Sequence, residues 1–173
     1  EAVVGLQARE VDRFDALVDG GIQDEAALAA LTTAGLEHDG VVASARMTRD
    51  TLVHKLTHAT RSNVKVHVPG ANWVWPRQLD GVQAGDEFLI YADLPPDQPM
   101  VVELESDTKQ EIRVPLRAAE GKLLERAWTQ ASLARMSAQV EAMDVEQGAE
   151  ARAKLQADIV DLSVKKRVLS DYT

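Results

Sequence analysis

The chain has no cysteine among its 173 residues. That absence removes a disulfide framework, a thiolate zinc site and a cysteine nucleophile at one stroke. It leaves the compartment open, because cysteine-free chains suit the cytosol and the bacterial envelope alike. Large aromatics are few, with three Trp, two Tyr and two Phe. Basic residues are outnumbered by acidic ones, 19 to 28, for a formal charge of −9, and the only compact basic cluster is Lys165, Lys166 and Arg167. Phosphate binding needs a concentrated basic face, so nucleic acid is excluded as an expected partner. No apolar run approaches the roughly 20 residues of a membrane-spanning helix. The opening residues Glu1 to Glu10 lack the basic start and apolar core of a secretory signal.

What is present reads as an α+β chain of three segments. Residues 1–62 alternate short apolar runs with helical patterns, as in βαβ organisation. Phe14 to Val18 read as a strand, and Asp19, Gly20 and Gly21 as a turn. Asp24 to Ala34 read as a helix that Gly35 ends, with Asp24 and Glu25 suited to its positive start. Val41 and Val42 are extended. Thr48 is placed to cap a second helix, with Leu52, Val53, Leu56 and Ala59 on one face and Arg49, Lys55 and Thr60 toward water.

Beyond Arg61 the period changes to two. Val64, Val66 and Val68 alternate with Lys65 and His67, and Pro69 and Gly70 stop the strand. A short run through Trp73, Val74 and Trp75 stops at Pro76. Gly85 and Asp86 turn the chain into Phe88 to Ala92, which reads as a strand covered on both faces. Asp93 to Pro99 is a loop. Met100, Val102 and Leu104 alternate with Val101, Glu103 and Glu105, and, after a turn at Ser106 to Lys109, Ile112, Val114 and Leu116 alternate with Glu111 and Arg113, the pattern of a hairpin with one wet face. Residues 63–117 thus make a small antiparallel β domain.

Residues 118–173 make a helical pair. Leu123, Leu124, Ala127, Trp128, Ala131, Ala134 and Ala138 form an apolar stripe, with Glu120, Lys122, Glu125, Arg126 and Arg135 outside it. Gly148 marks the break. Ala151, Leu155, Ile159 and Leu162 lead the second helix, which ends near Lys165 to Arg167. The first segment offers too few strands to close a parallel sheet covered on both faces. Residues 168–173 read as the approach to a strand that never arrives. The chain is therefore expected to be a piece of a longer one, exposing apolar surface in its first segment.

Candidate sites each carry a plain alternative. His54 and His58 stand at the spacing that sets two imidazoles on one helix face, but no third ligand is near, and zinc needs at least three from the protein. Asp93, Asp97, Glu103, Glu105 and Asp107 gather around the β domain, yet without EF-hand spacing they read as a wet strand face rather than a calcium site. Trp73 and Trp75 share one side of a strand. They are the possible interface of this chain, either as an exposed platform for a carbohydrate or peptide or, preferably, as rings sealing the junction between the first segment and the helices. No GxSxG, GxGxxG or P-loop frames a nucleophile or a phosphate, so no enzyme and no catalytic residue is expected.

LLERAWTQASLAR (residues 123–135) and IVDLSVKKRVLSDYT (residues 159–173) resemble the carboxyl-side region of bacterial proteins that carry a VIT domain and a von Willebrand factor A domain, an architecture shared with inter-alpha-trypsin inhibitor heavy chains. Trp128 fits the LxRxWAxxxI pattern of that family. Asp171 stands where its IVxLSxxxxVLSPYT phrase has Pro. The opening segment, through GIQDEAALAALTTAGL and the helix to His58, is similar to the last third of an A domain. The resemblance implies a partial α/β segment of von Willebrand A type over residues 1–62, the β module over 63–117 and the helical pair over 118–173. It implies a non-catalytic protein-binding or adhesion module whose partners are a protein ligand and the remainder of its own parent chain, in a cell-envelope or extracellular setting. It also implies magnesium in the full-length protein, held by a DxSxS loop. This sequence contains no DxSxS, so no cofactor is assigned to this chain and the ion site is expected upstream of Glu1. The alternative is a purely structural scaffold joining the VIT and A domains.

Overall fold

The computed structural model describes residues 10–20, 25–33, 35–119, 121–143, 148–170 and 172. The readings made for Glu1 to Arg9, Gly21, Asp24, Ala34, Glu120, Asp171 and Thr173 lie outside these residues. The chain is mixed α+β, with four helices and three small sheets among the described residues. It divides into two compact units, one drawing its described residues from Glu1–Val66, Gln78–Phe88 and Glu103–Gln110, the other from His67–Arg77, Leu89–Val102 and Glu111–Thr173.

The first unit begins with β1 (Ala16–Val18), followed by α1 (Glu25–Thr32) and β2 (Val42–Ser44). β1 and β2 pair in parallel, with Ala16 opposite Val42 and Val18 opposite Ser44. Parallel neighbours need a crossover, and α1 supplies it. The Asp15 carboxylate accepts from the Val41 N–H and from Arg13 Nε, both at 2.8 Å, and so ties the entry of one strand to the other. Gly40 is required here by space, since a Cβ would stand 1.8 Å from the Phe14 carbonyl oxygen.

α2 (Arg49–Thr57) starts as its sequence indicates, with the Thr51 N–H donating to Thr48 Oγ1. Its orientation differs from the expected one. None of its residues is buried, and Val53 and Leu56 are exposed, whereas the Lys55 ammonium is drawn inward to Asp86. Thr60, expected in water, donates to the Asp39 carbonyl. The cause is polar: Arg13 and Gln83 both donate to the carbonyls of Lys55 and His58, and those bonds set the rotation of a helix with little apolar surface to bury.

The remaining strands are β3 (Val64–His67), β4 (Trp73–Trp75), β5 (Gln78–Leu79), β6 (Tyr91–Asp93), β7 (Met100–Glu105) and β8 (Lys109–Val114). One sheet has the order β5-β3-β7-β8, and β4 pairs β6 in a second. On β3 the alternation holds, with Val64 and Val66 buried and Lys65 and His67 exposed. Gly70 closes that run at φ +79°, a conformation costly for other residues. The strand expected over Phe88 to Ala92, covered on both faces, is corrected to Tyr91–Asp93, with Phe88 exposed and Leu89 76 % exposed. β4 sets this limit. Its pairing runs only from Trp73↔Asp93 to Trp75↔Tyr91, because Pro76 follows and has no N–H to continue a ladder.

In the second unit α3 (Lys122–Ala142) packs on α4 (Ala149–Lys166) around Leu133, Met136, Val140, Ile159 and Val168, with Leu155, Leu162 and Tyr172 against them. α4 keeps the expected face except for Ala151, which is exposed. The stripe proposed for α3 is displaced. Leu123 is 83 % exposed, Leu124, Trp128 and Ala134 are exposed too, and the buried face is Thr129, Ala131, Ser132, Leu133, Met136, Ser137 and Val140. The buried Thr129 satisfies its hydroxyl on the Glu125 carbonyl at 2.8 Å. α4 ends in the left-handed conformation at Arg167 (φ 54°), after which the Val168 N–H donates to the Ser163 carbonyl at 3.1 Å. Among the described residues no helix is long and apolar enough to cross a membrane.

Candidate functional site

The most organised cluster of aromatic and charged side chains lies where β4 meets α3. Antiparallel pairing with β6 sets Trp73 opposite Asp93. Its indole lies 5.4 Å from that of Trp128, tilted by 48°. The Arg135 guanidinium stands 5.1 Å above the Trp73 ring, within reach of the attraction between a cation and an aromatic face. Arg135 Nη1 donates to Gln139 at 3.1 Å, while its Nε is buried without a partner. Burial lowers the Arg135 pKa, the nearby charge of Arg77 lowers it further, and Asp93 opposes both. The guanidinium thus stands over an aromatic face, with Gln139 accepting from it and the charge of Asp93 nearby.

Of the two residues proposed as an interface, Trp73 is half-buried, with Arg135 over its face and Trp128 at its side. Trp75, on the same side of the strand, is half-buried opposite Tyr91. The Trp73 ring occupies a strand-to-helix junction within the second unit. The exposed aromatic surface at this junction belongs to Trp128, 40 % exposed, beside a shallow trough lined by Ala119, Gly121, Lys122, Leu124 and Glu125. Sequence reasoning left Arg135 outside the packed face of its helix. A usable signal existed, since Trp128 and Arg135 are seven residues, about two turns, apart and so lie on one side of the helix.

His54 and His58 are brought together, but as a stack: their centroids are 3.7 Å apart with the planes at 16°. Parallel rings direct their nitrogen lone pairs side by side rather than toward one point. His58 Nδ1 is in addition engaged with the His54 carbonyl at 2.9 Å. The five acidic candidates are not brought together. Asp93 accepts from Asn72, Glu103 pairs with Lys109 at 3.0 Å, Asp97 and Asp107 occupy separate exposed turns and Glu105 is an exposed strand end. Among the described residues no group of three or more His, Asp or Glu is arranged to hold a metal ion.

The polar cleft of the first unit, lined by Thr60, Arg61, Ser62, Asn63, Lys65 and Glu105, sets cations beside carboxylates. It therefore has no single-sign field with which to select an ion. Compared with protein-family models the chain matches none, and a search of the curated proteins likewise finds no match.

Proposed function

We propose that this chain is a non-catalytic protein-binding or adhesion module, the carboxyl-side part of a VIT and von Willebrand factor A type protein. In that reading β1-α1-β2-α2 belongs to an A domain that recognises a protein partner, and the sheets and helical pair serve it as scaffold. The observation that carries the reading is the parallel β1–β2 pair with its helical crossover. Parallel sheets are found with both faces covered by helices, and here Leu17, Val53 and Leu56 stay exposed around a pair of three-residue strands. More strands and helices of a parent chain would cover them. A cell-envelope or extracellular setting goes with this role.

The metal-assisted grip of such a domain would come from a DxSxS loop preceding these residues. No residue of this chain is assigned to the ion. Titration calorimetry with magnesium, on the parent protein and on this segment, is the test. Binding by the parent alone is the expected result. Binding by neither would replace the adhesive role with the second reading, a structural scaffold between VIT and A domains, which the Trp73–Trp128–Arg135 junction favours because it joins a strand to a helix.

A further inference from the structure

β8 ends the order of the four-stranded sheet, and all six of its residues are exposed, Ile112 and Val114 included. A strand at a sheet edge offers backbone donors and acceptors to any strand of matching length. Natural edges are commonly guarded by charges of one sign, which repel a second copy of themselves. β8 instead carries both signs: Lys109, which pairs with Glu103, and then Glu111 and Arg113, two apart and hence on one face, with Arg113 Nε 3.4 Å from the Glu111 carboxylate and both of these side chains in water.

The hairpin defines which groups face outward. The Ser106 N–H donates to the Thr108 carbonyl at 3.1 Å. Counting along an antiparallel pair from that bond, Gln110, Ile112 and Val114 direct their backbone groups to β7, and Glu111 and Arg113 direct theirs to the open side.

We infer that this open edge is a self-association surface, on which a second copy of the chain adds its own β8 in antiparallel sense about a two-fold axis at Ile112. In that register Glu111 of each copy lies opposite Arg113 of the other, with the backbone bonds made between these residues, and Ile112 meets Ile112. The four charges alternate around a closed square. The two-fold registers centred on Glu111 or on Arg113 set like charges against each other, and one centred on Gln110 would set Glu111 against Lys109, which Glu103 already pairs, so the charge pattern favours a second copy in the Ile112 alignment. The inference is independent of the adhesive role proposed above.

Sedimentation equilibrium of the chain from about 1 μM to about 1 mM covers the range in which such an edge contact saturates. A monomer–dimer equilibrium is expected. Arg113→Pro should give a monomer with an unchanged circular-dichroism melt, because the lost N–H faces outward and leaves the hairpin ladder intact. Glu111→Arg and Arg113→Glu should each raise the dimer dissociation constant about tenfold or more, and the two together should restore it. The charge series decides the matter even where the proline variant fails to fold. A chain that stays monomeric throughout overturns the inference and leaves the extended segment of another protein as the occupant. A dimer indifferent to the charge swaps overturns it equally.

Discussion

The α3–α4 pair and the β1-α1-β2-α2 segment are both built from helices and short strands, yet they are held by opposite means. In the helical pair Val140 and Ile159 are fully buried, and the apolar contact between the two helices is the stabilising term. In the α/β segment Val41 and Ala43 are buried, but α2 buries none of its residues and the elements are tied by charged and amide groups: Asp15 on the Val41 N–H, and Arg13 and Gln83 on the last carbonyls of α2. Apolar packing is non-directional and tolerates rotation. Hydrogen bonds to helix-end carbonyls are directional and do not. The contrast explains why α2 turns Lys55 inward while Val53 faces water.

The sharpest way to break the comparison is to remove the deepest side chain of the helical pair. Ile159→Ala should cost about 3–4 kcal/mol, the range for an aliphatic residue truncated in a packed core. With two compact units, a single melting curve is not assured to be two-state, so the loss is best followed by hydrogen exchange at the amides of α3 and α4. Leu123→Ala, on the exposed end of the same helix, should change those rates by no more than about 0.5 kcal/mol. Equal effects at the two positions would mean that the face assigned to α3 is wrong.

Gly40→Ala is the matching probe of the other region and should cost about 2–3 kcal/mol, because the new methyl must displace the Phe14 carbonyl rather than a flexible side chain. Exchange should accelerate over β1 and β2 and leave α4 unchanged. Gln83→Ala is milder. It takes one donor from the carbonyls of Lys55 and His58, which Arg13 continues to serve, and about 1–2 kcal/mol is expected, read from exchange at α2. If Gln83→Ala left α2 untouched while Val53→Ala destabilised it, apolar rather than polar contacts would be orienting that helix.

The same contrast decides how much could be read from residues alone. Helix starts and stops written in local chemistry were legible: Thr48 caps α2, Gly35 follows α1, Gly148 precedes α4, and the β3 alternation of valines matches its buried face. The helix faces were less so. On α3 two apolar rows compete, and the larger residues, Leu123, Leu124 and Trp128, lie on the row that α4 does not cover. Nothing within the helix itself ranks those rows, because the choice belongs to the partner. The Phe88–Ala92 strand failed for a similar reason, its length being set by Pro76 on the strand opposite. Of the candidate site, the shared side of Trp73 and Trp75 was legible. The Arg135 cover was not, since a charge on a helix is ordinarily assigned to water.

The smallest effect belongs to a cross-helix charge pair, and it tests whether charge contributes to a region otherwise held by apolar contact. Lys166 donates to the Glu125 carboxylate at 2.5 Å, and that hydrogen bond, with the charge of Lys166, lowers the Glu125 pKa below 4.5. A carboxylate with a lowered folded pKa contributes stability above its unfolded value, and the contribution fades as pH falls through the folded value. Glu125→Gln should therefore lower the melting temperature of the helical pair slightly at pH 7. The difference from the parent should shrink below pH 4.5 and vanish once Glu125 is protonated in both states. Both partners reach solvent, so salt should erase the same difference at pH 7. A gap between the two proteins that persisted in acid and in high salt would assign the role of Glu125 to packing of its methylenes instead of to its charge.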